Sequence, residues 1–285
     1  MGFNAKASFD RTCGGAGSLG TIYRSPYLAR RLGRLLTPLA IAVAVSVGIA
    51  WMKDVPLYFG PLTLLLSMPV PLVGQFFVTL SLMFVALAPM LYLAYRKAPG
   101  RTLILSLVAT AIFEAGASQV DFFKQSYYVY QVIPLRFVPL FVLGMWLADG
   151  AALTPRRNWF ILPSAAVSAL YLVLYSAGFR TGLLDFEHMY TFLAFGYPLL
   201  LVASGLNYLP QTITGPGWQA LAELGKASYH VFLVQAVWFS TPITLFRQGD
   251  LRWVPVSLAV CCGVGWAWYR AERMLTSRRS ARGGG

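Results

Sequence analysis

Acidic residues are scarce in this chain: 10 Asp and Glu stand against 23 Lys and Arg in 285 residues, with only two histidines and three cysteines. Charged residues make up 12% of the sequence. A soluble domain carries about 25%, so a water-soluble globular protein is excluded. The cysteines are too few and badly placed to organise anything. Cys13 lies in a Gly-rich leader, and Cys261 and Cys262 are adjacent in an apolar run. Their side chains point in different directions, which rules out a useful disulfide staple. No metal-ligand spacing occurs, so no metal site is expected. Residues 1–20 lack the apolar core segment that a signal peptide needs. No internal repeat is evident, which counts against a transporter built from inverted repeats.

What is abundant is apolar surface, at 57% hydrophobic residues and a mean hydropathy of +0.61. Runs near the ~20 residues that cross a bilayer fall at about 35–52, 72–95, 102–119, 132–149, 159–178, 189–208, 227–247 and 252–270. The fold class expected is therefore all-α, a polytopic transmembrane helical bundle of about eight spans. Segment 56–70 is apolar but short and proline-broken, and reads as re-entrant or interfacial. The net charge of +13 could point to nucleic acid. The basic residues instead sit in short loops and tails between apolar runs, as cytoplasmic loops do. The partner expected is the lipid bilayer, with no nucleic acid.

Charge asymmetry orients the spans. Arg24, Arg30, Arg31 and Arg34 place the N-terminal arm in the cytoplasm, as do Arg96, Lys97 and Arg101, Arg156 and Arg157, and the tail with Arg270, Arg273, Arg278, Arg279 and Arg282. The intervening loops, around Asp121 and Lys124 or Arg180, Asp185 and Glu187, fall outside. An even number of spans leaves both termini cytoplasmic. Residues 1–24 read as a disordered or non-native leader, 25–274 as one transmembrane domain and 275–285 as a cytoplasmic basic tail. Within residues 25–36, Ser25 suits a cap and Pro26 a first helical position. Tyr27, Leu28, Leu32, Leu35 and Leu36 recur on one side, and Arg30, Arg31 and Arg34 lie towards another. This describes a basic amphipathic helix at the headgroups, leading into the first span.

Ionisable residues within spans are costly, and each is a candidate functional group. Glu114 lies late in a span running outward and Arg136 early in one running inward, so the two are expected to meet near the outer face. They form either an ion pair locking two helices or a polar wall of an outward-opening pocket. Tyr127, Tyr128 and Tyr130 between them suit an interfacial belt. A second polar group opens the seventh span, where Lys226, Ser228, Tyr229 and His230 crowd one cytoplasmic edge. Lys can snorkel, Tyr can sit among headgroups and Ser can bond back to the backbone. No Ser-His-Asp spacing is present.

The order of residues 224–235, LGKASYHVFLVQ, resembles a late-helix motif of the membrane acyltransferase 3 family. Gly225, Lys226, Ser228, Tyr229, Phe232 and Leu233 match it, with Phe232 replacing a common Tyr. Residues 28–40, LARRLGRLLTPLA, are similar to the family's arginine-rich third helix, and 136–149, RFVPLFVLGMWLAD, to its R-x-x-x-F-x-x-G helix. Residues 75–89 are a weaker match, with Ser81 where many members carry an acidic residue. The resemblance implies an integral membrane enzyme of about ten helices. Such an enzyme moves an acyl group, often acetyl, from a cytoplasmic donor such as acetyl-CoA to a hydroxyl of an envelope glycan or lipid-linked sugar. Acyl-CoA is then a co-substrate and no cofactor is bound. Arg30, Arg31, Arg34 and Lys226 become candidates for the donor's phosphates, which Arg can contact bidentately. The family's presumed general base, a His on its first helix, has no counterpart here. His188 lies in an outside loop, His230 falls at a variable motif position, and Gln235 stands where a His is common. The catalytic residue is thus unassigned, and the chain is expected to be a truncated form lacking two helices. The competing functions are a multi-pass transporter, suited by Glu114, Arg136 and the prolines Pro89, Pro134, Pro139 and Pro198, and a non-catalytic membrane subunit.

Overall fold

A computed structural model describes residues 1–13, 19–24, 27–54, 75–125, 127–150, 153–179, 190–209, 215–240 and 251–282. Among the described residues the protein is all helix, with no strand. In chain order the helices are α1 (Gly2–Cys13), α2 (Leu19–Arg24), α3 (Tyr27–Met52), α4 (Gln75–Lys97), α5 (Pro99–Ala117), α6 (Asp121–Gln125), α7 (Tyr127–Val132), α8 (Val138–Leu147), α9 (Pro155–Ser176), α10 (Thr191–Ala194), α11 (Gly196–Tyr208), α12 (Pro216–Lys226), α13 (Ser228–Ser240) and α14 (Val254–Arg282). Short 3-10 turns at Pro134–Phe137 and Leu251–Trp253 precede α8 and α14.

Four of the described helices are long and apolar enough to cross a membrane: Tyr27–Met52, Phe76–Lys97, Pro99–Ala117 and Pro155–Ser176. Helix α5 shows why such a helix belongs in lipid. Its buried face carries Ser106, Thr110, Glu114 and Ala117, at helical spacing. Its outer face exposes Ile104, Leu105, Val108 and Ile112, each at least 49% exposed. Polar groups turned inward and large apolar groups turned outward invert the pattern of a soluble helix. In a bilayer the outer face meets acyl chains at no cost, while buried polar side chains join neighbouring helices.

Two of the expected spans are broken. Residues 132–149 divide into the 3-10 turn and α8, with Pro134 and Pro139 at the starts of the two pieces. Residues 189–208 divide into α10 and α11. In both places hydropathy is continuous but the backbone hydrogen bonding is not, because proline cannot donate and restarts the helix. The seventh span is described only as far as Ser240, and segment 56–70 lies outside the described residues, as do Ser25 and Pro26. The eighth is the apolar first half of α14, which continues as a helix into the basic tail.

The chain forms two compact units: Met1–Arg31 with Leu80–Pro210, and Leu32–Thr79 with Gln211–Gly285. The first has a core of Leu143, Leu147, Ile161, Leu199 and Ala203, drawn from α8, α9 and α11. A second cluster, Ala117, Tyr130, Tyr171 and Tyr190, surrounds the deeper polar groups. Helix α1 belongs to this unit. Gly2 and Gly144 allow it against α8. A Cβ on Gly2 would lie 1.8 Å from the Phe141 carbonyl oxygen, and one on Gly144 would lie 2.9 Å from the Phe3 nitrogen. Ala5 and Phe9 recur one turn apart on its buried side, and the Phe9 ring packs at 4.6 Å from Tyr27 and 4.9 Å from Tyr92.

Candidate functional site

Three polar clusters are built into the two units. In the first unit Glu114 and Arg136 meet. Arg136 Nε donates to Glu114 Oε1 at 2.9 Å. The carboxylate also accepts from the backbone N–H groups of Thr191 at 3.0 Å and Phe192 at 3.1 Å. Arg136 Nη2 donates to the Thr191 hydroxyl at 2.9 Å, and its guanidinium lies 3.9 Å from the centre of the Tyr130 ring. Glu114 is fully buried and Arg136 nearly so. The carboxylate therefore ties α5 to the turn before α8 and to the start of α10. Tyr130 is buried inside this group rather than standing in an interfacial belt, because its ring face takes the cation.

The second cluster anchors α1. Lys6 Nζ lies 2.7 Å from Asp10 Oδ2 and 2.9 Å from Asp149 Oδ1. The Tyr92 hydroxyl donates to Asp10 at 2.6 Å, and that of Tyr95 donates to Asp149. Burial alone would push the Lys6 ammonium down, but its hydrogen bonds to Asp10 and Asp149 and their charges outweigh that and raise it. At Asp10 burial pushes up, and the hydrogen bonds from Lys6 and Tyr92, with the charges of Lys6 and Arg96, bring the carboxyl below its usual range. The sequence reading missed this group, because α1 has too few apolar residues to announce a helix.

The second unit holds the polar mouth of α13. Lys226 ends α12 and pairs with Glu223 at 2.6 Å. That hydrogen bond holds the Glu223 carboxyl below its usual range, and the charges of Lys226, Arg273 and Arg270 add to the effect. Arg270 and Arg273 thus complete a basic rim with Lys226. Ser228 opens α13 and is exposed. The Tyr229 hydroxyl donates to the Leu35 carbonyl at 3.1 Å, bringing α13 against the segment of α3 that carries Arg34. Arg30, Arg31 and Arg34 lie in the first turns of α3; Arg30 and Arg34 are exposed, and Arg31 lies 5.8 Å from the Tyr27 ring centre. Arg30 and Arg31 belong to the first unit and Arg34 to the second.

His230 is the residue whose surroundings the sequence conceals. Its Nε2 lies 2.7 Å from Glu272 Oε2, 42 residues away on α14. The ring stands edge-on to Trp268 at 5.2 Å and packs at 5.5 Å from Tyr269. Gly265 makes this possible: a Cβ there would lie 2.5 Å from Val231 Cα, so only glycine lets α14 approach α13 so closely. Among the described residues no group of three or more His, Cys, Asp and Glu could hold a metal ion.

A family model described as an acyltransferase domain, that of the acyltransferase 3 family, matches residues 17–270. No curated protein and no solved structure matches the chain. The match covers most of the sequence, and the chain belongs to this family of membrane acyltransferases.

Proposed function

We propose that this member of the acyltransferase 3 family moves an acyl group, acetyl in the simplest case, from a cytoplasmic thioester such as acetyl-CoA to a hydroxyl of an envelope glycan or lipid-linked sugar. It does so as a multi-pass protein of the cell membrane with both termini in the cytoplasm. The observation that carries the reading is the family match, which runs through every described membrane-crossing helix. The basic rim supports a phosphate-bearing donor. Lys226 pairs with Glu223 at the end of α12, the charges of Arg270 and Arg273 also act on that carboxyl, and Arg34 belongs to the same unit. Guanidinium groups match phosphate oxygens two at a time, and Lys adds a compact point charge.

A transporter reading would use Glu114 and Arg136 as part of a pathway. Glu114 is already engaged by three donors, which supports a packing role instead.

The test is donor binding to the purified chain in nanodiscs. Acetyl-CoA is titrated calorimetrically, and thiol release is followed with a sugar hydroxyl present. A Lys226→Ala, Arg270→Ala double substitution is expected to weaken binding about tenfold, the scale of losing one hydrogen bond to a charged group. Unchanged affinity removes the phosphate assignment, and a wild-type chain that ignores acyl-CoA turns the reading towards transport or a non-catalytic subunit.

A further inference from the structure

Helix α12, in the second unit, is strongly two-sided. Pro216 opens it after Gly215, whose φ of 92° suits glycine. Trp218, Leu221 and Gly225 share one side at spacings of three and four, and Gln219, Glu223 and Lys226 share another. In a helix packed on a protein core the apolar side would be covered. Here no residue of α12 is buried, and Trp218 and Leu221 are 41% and 54% exposed.

The level of α12 identifies what covers that side. Helix α14 carries no charge from Val254 to Tyr269, and it exposes Val256, Leu258, Val264 and Trp266. Its first charged residues, Arg270, Glu272 and Arg273, follow within one turn. The Arg270 guanidinium lies 4.6 Å from the centre of the Trp266 ring. A Trp and an Arg closing an uncharged apolar stretch mark the headgroup layer, where indole rings settle and Arg side chains reach for phosphate. Helix α12 is tied to this level. The charges of Arg270 and Arg273 act on Glu223, which pairs with Lys226. Four residues after Lys226, His230 meets Glu272. The lipid-facing surface of α14 therefore ends beside a helix whose apolar side the described residues leave uncovered.

We propose that α12 lies along the membrane surface at this end of the second unit, with Trp218 and Leu221 seated among the first acyl-chain carbons of the phospholipids and Gln219 turned to water. A short helix with one apolar side lies in the interface rather than across it. Lys226, Arg270 and Arg273 then stand at the level of the lipid phosphates, whose charge complements theirs. The seat depends on the membrane alone and holds whether or not the chain transfers acyl groups.

The experiment uses the full chain in vesicles of phosphatidylcholine and phosphatidylglycerol in equal parts, in a background without Cys13, Cys261 and Cys262. Leu221→Cys, Gly225→Cys and Gln219→Cys each carry a nitroxide in turn; Gly225 has open space for a side chain. Collisions with dissolved oxygen, which concentrates in lipid, are compared with collisions with a water-soluble nickel chelate. The oxygen-to-nickel ratio is expected to be severalfold higher in Leu221→Cys and Gly225→Cys than in Gln219→Cys. Free access of nickel to all three positions would place α12 in water and overturn the proposal. A Leu221→Cys label shielded from both reagents would mean that protein covers it, which also overturns the proposal; particle mass then tells a second copy from another part of this chain. A second measurement keeps the native cysteines. The emission of Trp218, taken as wild type minus Trp218→Phe, is expected to be quenched more by lipids brominated near the glycerol end of their chains than by lipids brominated near the chain tips. Trp218 emission that neither lipid quenches overturns the proposal even where the cysteine-free background fails to fold.

Discussion

Glu114 answers to a guanidinium and two backbone N–H groups while fully buried. Removing its charge leaves Arg136 buried without its counter-ion, a change that costs about 3–5 kcal/mol in known cases. Glu114→Gln is therefore expected to lower the thermal midpoint of the purified protein sharply. The double variant Glu114→Gln, Arg136→Met is expected to recover part of the loss, because the stranded cation is gone. Calorimetry in detergent checks both. A near-normal midpoint with transport or transfer abolished would assign the pair to chemistry instead. The pairing itself is legible from sequence, since two residues of opposite charge at similar depth on consecutive spans have nowhere cheaper to go. Thr191 is not legible as a partner, because the N–H it gives Glu114 is one that any residue carries, and nothing in the sequence aims its hydroxyl at Arg136. Glu272 is hidden for another reason: it sits among the arginines of a tail that reads as solvated, and the close packing of α14 on α13 brings it to His230.

That close packing needs a glycine at position 265. Gly265 faces Val231, and a side chain there would overlap backbone atoms at 2.5 and 2.6 Å, which cannot move aside as a flexible side-chain end can. Gly265→Val is expected to push α14 off α13 and cost about 1–3 kcal/mol, the range for overpacked contacts. Its specific mark is at the histidine. In nitrogen-15 spectra of labelled His230, the wild type is expected to show the tautomer protonated at Nε2, and Gly265→Val a mixture, as Glu272→Gln should. An unchanged tautomer would mean that the helix contact does not set the pairing of His230 with Glu272. At this scale the sequence is a good guide where apolar runs are unbroken, as in α3, α4, α5 and α9. It misleads where a hydropathy window averages across a break, as at Pro134, Pro139 and the turn into α11. It is silent on α1, whose helix shows in only Gly2, Ala5 and Phe9 on one side.

For the molecule as a whole, the distribution of its +13 net charge is what supports the proposed orientation. Arg96, Lys97 and Arg101 surround the turn between α4 and α5, while the stretch after α9 carries Arg180, Asp185 and Glu187. Basic residues near span ends favour the cytoplasmic side, so the proposed orientation puts the turn between α4 and α5 and the end of α9 on opposite faces of the membrane. Two positions report this with little disturbance. Gly100 has open space where a side chain would go. Ala177 is exposed at the end of α9. In a background without the three native cysteines, Ala177→Cys is expected to react in intact cells with a membrane-impermeant maleimide. Gly100→Cys is expected to react only once the membrane is opened. The reverse pattern would invert the chain and place the basic rim of Lys226, Arg270 and Arg273 on the outer face, away from any cytoplasmic thioester. Labelling of both from outside would mean that α5 to α9 do not cross the bilayer an odd number of times between the two positions. The proposed side for the donor and the proposed topology rest on the same charges, and the two assignments stand or fall together.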